Sequence, residues 1–180
     1  TVEFVEYRPG KFAQPAHLQG IWSKSLQPAW SANWTLNCNA QINYWPVEIC
    51  NLSECHLPLI ELTKELSVDG AKTAQNMYGA GGWIAHHNAD IWRTTSPVGG
   101  TGLWAIYQAG SAWLCHHLWE HYQFTLDREY LEEIYPVLKG AAQFYVDNLQ
   151  RDKEGYLVTN PSESFENHFK KPDGTTGWAC

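Results

Sequence analysis

No fold built on short, regular turns can accommodate residues 79–102, GAGGWIAHHNADIWRTTSPVGGTG. The segment is too rich in glycine and too unpatterned to be a helix or strand, yet helical patterns flank it. Before it, HLPLIELTKELSVDGAKTAQNMYG predicts a helix from about Pro58 to Tyr78, with Leu59, Leu62 and Leu66 as its apolar stripe and Gly79 as its stop. After it, LWAIYQAGSAWLCHHLWEHYQFT predicts one long helix, and another starts at the N-cap Asp127 and runs to about Leu149. AQINYWPVEIC predicts an earlier helix that Pro46 kinks or interrupts.

Residues 1–30 carry Pro9, Gly10, Pro15, Gly20 and Pro28 with little periodicity, and read as an arm or linker leading into 31–180. Near the other end, YLVT is briefly strand-like. Helices paired through loops of unequal length, with every other loop polar and aromatic, imply an all-α helical toroid that collects its site from loops at one end. The final TTGWAC offers no cap or closing element, so 31–180 is expected to be the N-terminal portion of a larger ring.

Composition narrows the function. Of the 180 residues, 44% are apolar and 17% charged, as in a folded globular domain. A net charge of −7 without clustered Lys or Arg argues against nucleic acid as a partner. No apolar run approaches a spanning helix, so no membrane partner is expected. The five cysteines, odd in number and without C-x-x-C spacing, point neither to zinc nor to a disulfide framework. Asn33-Trp-Thr35 and Asn51-Leu-Ser53 match the glycosylation sequon, a pattern that chance triplets also produce. Ten tryptophans and nine tyrosines are many for this length. Any one ring can be core, but beside abundant His and Asn they fit a saccharide site, where rings stack on sugar C–H faces and amides and imidazoles bond hydroxyls.

Three constellations carry chemistry. In TLNCNAQINYW, asparagines stand where a core wants aliphatic side chains, and a buried amide left without partners costs roughly 1–3 kcal/mol. If TLNCN is extended, Thr35, Asn37 and Asn39 face one way and Leu36 and Cys38 the other; the competing reading is that the amides satisfy a turn or helix start. In NPSESFENHF, Glu163 and Glu166 are either solvated loop carboxylates or, flanked by Phe165 and Phe169, candidates for a general acid raised by desolvation. AHHNADIWR packs His86, His87, Asn88, Asp90, Trp92 and Arg93 into one loop, a density suited to sugar hydroxyls. His86 with Asp90 names two metal ligands and no third. His117 and His121, four apart beside Glu120, read as a surface or satisfied helix pair rather than a ligand set.

NCNAQINYWPVEICNLSECHLPL, MYGAGGWIAHHNADIWR, GSAWLCHHLWEHYQFTLDREYLEEIYPVLKGAAQF and GYLVTNPSESFENHF, in this order, closely resemble glycoside hydrolase family 95, the inverting 1,2-α-L-fucosidases and their α-L-galactosidase relatives. The resemblance runs from about Pro15 onward and implies an (α/α)6 barrel, a secreted, periplasmic or otherwise extracytoplasmic setting, and no cofactor or metal. It implies that Asn37 and Asn39 of the N-x-N motif hold the attacking water and that Glu166 is the general acid. Glu163 falls at a variable position, and Phe165 stands where the family has proline. The family's aspartate base lies further downstream, beyond this chain. Thr35, His86, His87, Asp90 and Trp92 are expected substrate contacts, and a small Thr35 leaves room for the hydroxymethyl of L-galactose as well as the methyl of L-fucose. The expected partner is therefore an oligosaccharide with terminal α-L-fucose or α-L-galactose. Two rival expectations are a non-catalytic carbohydrate-binding fragment and another helical-barrel enzyme such as a phosphorylase, although no basic cluster prepares a phosphate site.

Overall fold

The computed structural model of the chain describes residues 14–21, 23–100, 102–161 and 166–177. The described elements are mostly helical: α1 Asn39–Tyr44, α2 Pro46–Ile49, α3 Leu57–Thr73, α4 Gly102–Ala105, α5 Gly110–Thr125 and α6 Arg128–Asn148. Six strands of two residues each pair as three antiparallel ladders: β1 Trp34–Thr35 with β2 Asn88–Ala89, β3 Gln150–Arg151 with β4 Leu157–Val158, and β5 Phe169–Lys170 with β6 Thr176–Gly177. None of the described helices is long and apolar enough to cross a membrane. Among the described residues, no disulfide joins Cys38, Cys50, Cys55 or Cys115; Cys180 lies outside them.

Local chemistry sets most boundaries. Pro46 divides α1 from α2, because its ring occupies the space of an i−4 carbonyl contact and it has no N–H to donate. The helix expected from Pro58 to Tyr78 is α3 followed by one π-type turn, Ala74–Tyr78, and Gly79 ends it at φ +63°. Asp127 caps α6 through its carboxylate, which accepts from the backbone N–H groups of Glu129 and Tyr130. One expectation needs correction. LWAIYQAGSAWLCHHLWEHYQFT is not continuous: the chain leaves α4 at Ala105 and α5 begins only at Gly110. The break has a packing cause, since a Cβ on Gly110 would lie 2.4 Å from the Ala85 carbonyl oxygen; α5 starts where glycine permits that approach.

The main core gathers Leu36, Tyr44, Val47, Leu59, Leu62, Leu66, Trp83 and Leu114 from the turn after β1, α1–α3, the long loop and α5. Ile60, Leu118 and Ile134 join α3, α5 and α6 in a second cluster. The arm is fastened to this core at two points: Tyr44 OH accepts from Ala16 N–H at 2.8 Å, and Trp34 Nε1 donates to the Pro15 carbonyl at 3.0 Å.

The long loop, unpatterned in sequence, is held in place from both ends. Trp83 is buried, its Nε1 donates to the Val137 carbonyl at 2.8 Å, and its backbone N–H donates to Gly140. Ile84 N–H donates to the Gly70 carbonyl on α3. Further along, β2 pairs with β1 in the register Trp34↔Ala89 and Thr35↔Asn88, and the Leu36 N–H donates to His87 O at 2.7 Å. This ladder brings HHN alongside TLNCN across the 46 residues, 40–85, that separate them in sequence.

Candidate active site

Asn37, Asn39 and Glu166 come from two distant segments. The extended backbone stops at Thr35 rather than running to Asn39, and residues 36–38 turn into α1, whose first residue is Asn39. The simple alternation across TLNCN therefore fails: Leu36 and Asn37 are both buried, and Cys38 and Asn39 are half-buried. Asn37 Nδ2 donates to Glu166 Oε1 at 3.5 Å, while Asn37 Oδ1 is buried without a partner among the described residues. Cys38 Sγ approaches Asn39 Oδ1 at 3.7 Å, and its thiol is pushed above its ordinary value by burial and then by the Glu166 carboxylate nearby. Glu166 occupies an exposed turn at φ +55°. The enclosure expected from flanking phenylalanines is thus not provided by Phe169, which lies on β5 and is itself largely exposed; Glu163 and Phe165 lie outside the described residues.

The HHN loop divides into two functions. His86 is fully buried with both ring nitrogens engaged, Nε2 with Tyr78 OH at 2.7 Å and Nδ1 with the Thr95 carbonyl at 2.8 Å. Asp90 accepts from the backbone N–H groups of Trp92 and Thr94 and from the Thr94 hydroxyl, which holds the loop's turn. These two residues support the loop. His87 is different: Nδ1 bonds Asn88 Oδ1, and Nε2 is buried with no partner. Trp92 is 81% exposed, its face open. Thr35 Oγ1 donates to Asn33 Oδ1 at 2.9 Å and accepts from Asn88 Nδ2 at 3.5 Å. Arg93 lies over the Trp34 ring at 5.5 Å and donates to Gln14 at 2.9 Å, which ties the loop to the arm.

Beneath α1 lies a buried polar network. Glu48 Oε1 accepts from His56 Nδ1 at 2.7 Å and from His121 Nδ1 at 2.6 Å, Ser53 Oγ bonds the other carboxylate oxygen, and His56 Nε2 meets His117 Nδ1 at 3.0 Å. Burial alone would raise the Glu48 carboxyl, but the donors from His56, Ser53 and His121 hold it down at about 2. Burial, with His56 and His116 nearby, pushes His117 down to about 3. The His117/His121 pair is therefore buried rather than on the surface; His121 Nδ1 and His117 Nδ1 are engaged, while His117 Nε2 has no partner among the described residues. The donor atoms of Glu48, His56 and His121 all lie within 4.8 Å of one another, a set that could hold an ion, but separations of 2.6 and 2.7 Å are those of N–H···O⁻ bonds, in which protons fill the space. Sequence reading missed Glu48 and His56. A signal existed, since Leu114, His117, Leu118 and His121 share the buried face of α5, so the two imidazoles needed an internal partner. Asn88, read only as one of several polar residues in its loop, gave no sign of its partner, because β1–β2 pairing is what places it beside Thr35.

Residues 7–180 match the glycosyl hydrolase family 95 catalytic domain. The chain is 48% identical over 168 residues to "Alpha-L-fucosidase 2" of Arabidopsis thaliana, an alignment that covers 93% of this chain and 20% of that protein. It is 39% identical over 165 residues to "Probable alpha-fucosidase A" of Aspergillus niger, covering 88% of this chain and 20% of the relative. The chain thus spans about a fifth of the length of these relatives. The chain therefore belongs to glycosyl hydrolase family 95 and carries part of its catalytic domain.

Proposed function

We propose that this chain is the N-terminal portion of an (α/α)6-barrel glycosidase that releases terminal α-L-fucosyl residues, α-1,2-linked, from glycans with inversion. The observation that carries the reading is the meeting of Asn37 and Glu166, which are 129 residues apart in sequence. Glu166, exposed on its turn, is placed to protonate a glycosidic oxygen arriving from solvent. Asn37 Oδ1 is an acceptor without a donor among the described residues, which suits it to hold a water proton, and the resemblance assigns the second water-holding amide to Asn39, at the start of α1. Amides orient water but cannot take its proton, so an aspartate base outside these 180 residues completes the site.

In an inverting enzyme, acid and base stand roughly 6.5–9.5 Å apart with the sugar and water between them. The base therefore has to stand across the sugar from Glu166, on the side from which the water attacks. His87 and the open face of Trp92 then supply sugar contacts, while His86 and Asp90 hold the loop that carries them.

Proton NMR of an α-1,2-L-fucosyl oligosaccharide, incubated with a full-length polypeptide containing this chain, tests the reading. Release of β-L-fucose, with kcat lowered roughly 10²–10⁴-fold in Glu166→Gln, is the expected result. An α-anomeric product would overturn inversion, and full activity in Glu166→Gln would overturn the acid. An α-L-galactoside run in parallel decides between the two sugars, and binding without release by the full-length protein would support the carbohydrate-binding alternative.

A further inference from the structure

His87 ends a chain of four polar side chains whose hydrogen bonds run in one direction. The Thr35 hydroxyl has one proton, and it donates that proton to Asn33 Oδ1 at 2.9 Å. Toward Asn88 the same oxygen can only accept, so the Asn88 amide presents Nδ2 to it, at 3.5 Å. That turns Asn88 Oδ1 to His87 Nδ1. A carbonyl oxygen cannot donate, so the imidazole proton must sit on Nδ1 and leave a lone pair on Nε2. The opposite tautomer would set two lone pairs against each other at Asn88 and strand an N–H inside the protein. Nε2 is buried and has no partner among the described residues, so the acceptor stays stranded until a donor reaches it.

We propose that Asn33, Thr35 and Asn88 are positioning residues that fix His87 as the Nδ1–H tautomer, so that Nε2 accepts a hydrogen bond from a hydroxyl of the bound sugar. The assignment of the donor to a sugar rests on the glycosidase reading; the tautomer does not. Thr35 thereby acts through His87 rather than by bonding the sugar, because its proton is already committed to Asn33. The β1–β2 ladder makes the relay possible, since Thr35 and Asn88 are direct partners in its register. His87 also sits beside the water-holding segment, as its carbonyl accepts from the Leu36 N–H, one residue before Asn37.

Long-range proton–nitrogen correlation NMR on the ¹⁵N-labelled chain at neutral pH reads the tautomer directly, with His87 assigned by the signal lost in His87→Gln. The expected result is a pyrrole-like Nδ1 and a pyridine-like Nε2. Asn88→Ala and Thr35→Val should move Nε2 toward the pyrrole-like range, whereas Asn88→Asp and Thr35→Ser, which keep the needed acceptors, should not. A pyrrole-like Nε2 in the unmodified chain, or a tautomer indifferent to Asn88→Ala, overturns the relay, and the first of these needs no variant to fold. Titration with L-fucose then tests the ligand: a shift of the Nε2 resonance supports a sugar donor, and saturating L-fucose without a shift overturns that part. Failure of the fucosidase reading would appear as absent product with the tautomer unchanged, so the two failures remain distinguishable.

Discussion

Asn37 is a buried amide that the fold leaves poorly bonded. Its Nδ2 reaches only a 3.5 Å bond to an exposed glutamate and its Oδ1 reaches nothing, so folding gains little from it. Removing a polar group that is already unsatisfied removes its desolvation penalty as well. Asn37→Ala is therefore expected to leave the melting temperature of this chain unchanged or slightly raised, within about 1 kcal/mol of stability in thermal denaturation. The same substitution in the full-length polypeptide should lower kcat roughly 10²–10³-fold, as loss of one positioned polar group at a reacting centre does. A clear drop in melting temperature would show instead that the amide is structural. His86, fully buried with both nitrogens engaged, is the contrasting case: identical in type to its neighbour His87, it differs only in its partners.

At the scale of elements, the long loop is positioned by close backbone approaches rather than by periodic packing. Gly82 adopts φ +69°, and a Cβ there would lie 1.9 Å from the Gly140 carbonyl oxygen on α6. Gly82→Ala thus combines backbone strain with a clash against main chain that cannot rotate away, and should destabilise by about 1–3 kcal/mol or more in urea titration. Because the loop leads directly to β2, the variant should also broaden the His87 and Asn88 NMR signals. Stability unaffected by Gly82→Ala would mean that the loop and α6 are not held in register. The cap of α6 offers a cleaner local test: the Asp127 carboxylate accepts two backbone N–H bonds, so Asp127→Ala should cost about 1 kcal/mol, with Asp127→Asn retaining most of it.

Across the whole molecule, the buried Glu48 network couples α1, α2, the His56 turn and α5 to pH. Glu48 titrates at about 2 when folded against an ordinary 4.5, so the stability it contributes is complete above pH 4.5 and lost as pH falls toward 2. His117 titrates at about 3 when folded against 6.5. Between these values the unfolded chain binds the proton first, so stability falls as pH drops from 6.5 toward 3. His86, lowered by burial against the opposing Thr95 carbonyl, adds a slope of the same sign. Melting temperature measured from pH 8 downward should therefore begin to decline near pH 6.5 and steepen below pH 4.5. His117→Gln should flatten the upper limb while leaving the lower one, and a flat profile down to pH 5 in the unmodified chain would contradict the buried neutral imidazole.

Much of the helical framework was legible in the residues themselves. Leu59, Leu62 and Leu66 announce the buried stripe of α3, Gly79 its end, Asp127 the start of α6 and Pro46 the break after α1, because each acts through neighbours within a few positions. The family resemblance rested on the same kind of local order, long motifs in sequence, and the match over residues 7–180 bears it out. Tertiary structure decided the rest. It divided the tryptophans into core, as at Trp34 and Trp83, and open face, as at Trp92. It broke the expected long helix at residues 106–109, where α5 had to approach Ala85. It gave His121 a distant carboxylate and His117 a distant imidazole, and gave adjacent His86 and His87 different partners. The physical reason is one of range: propensities and caps act within a few residues, whereas the state of a buried polar group depends on whichever segment the fold brings against it.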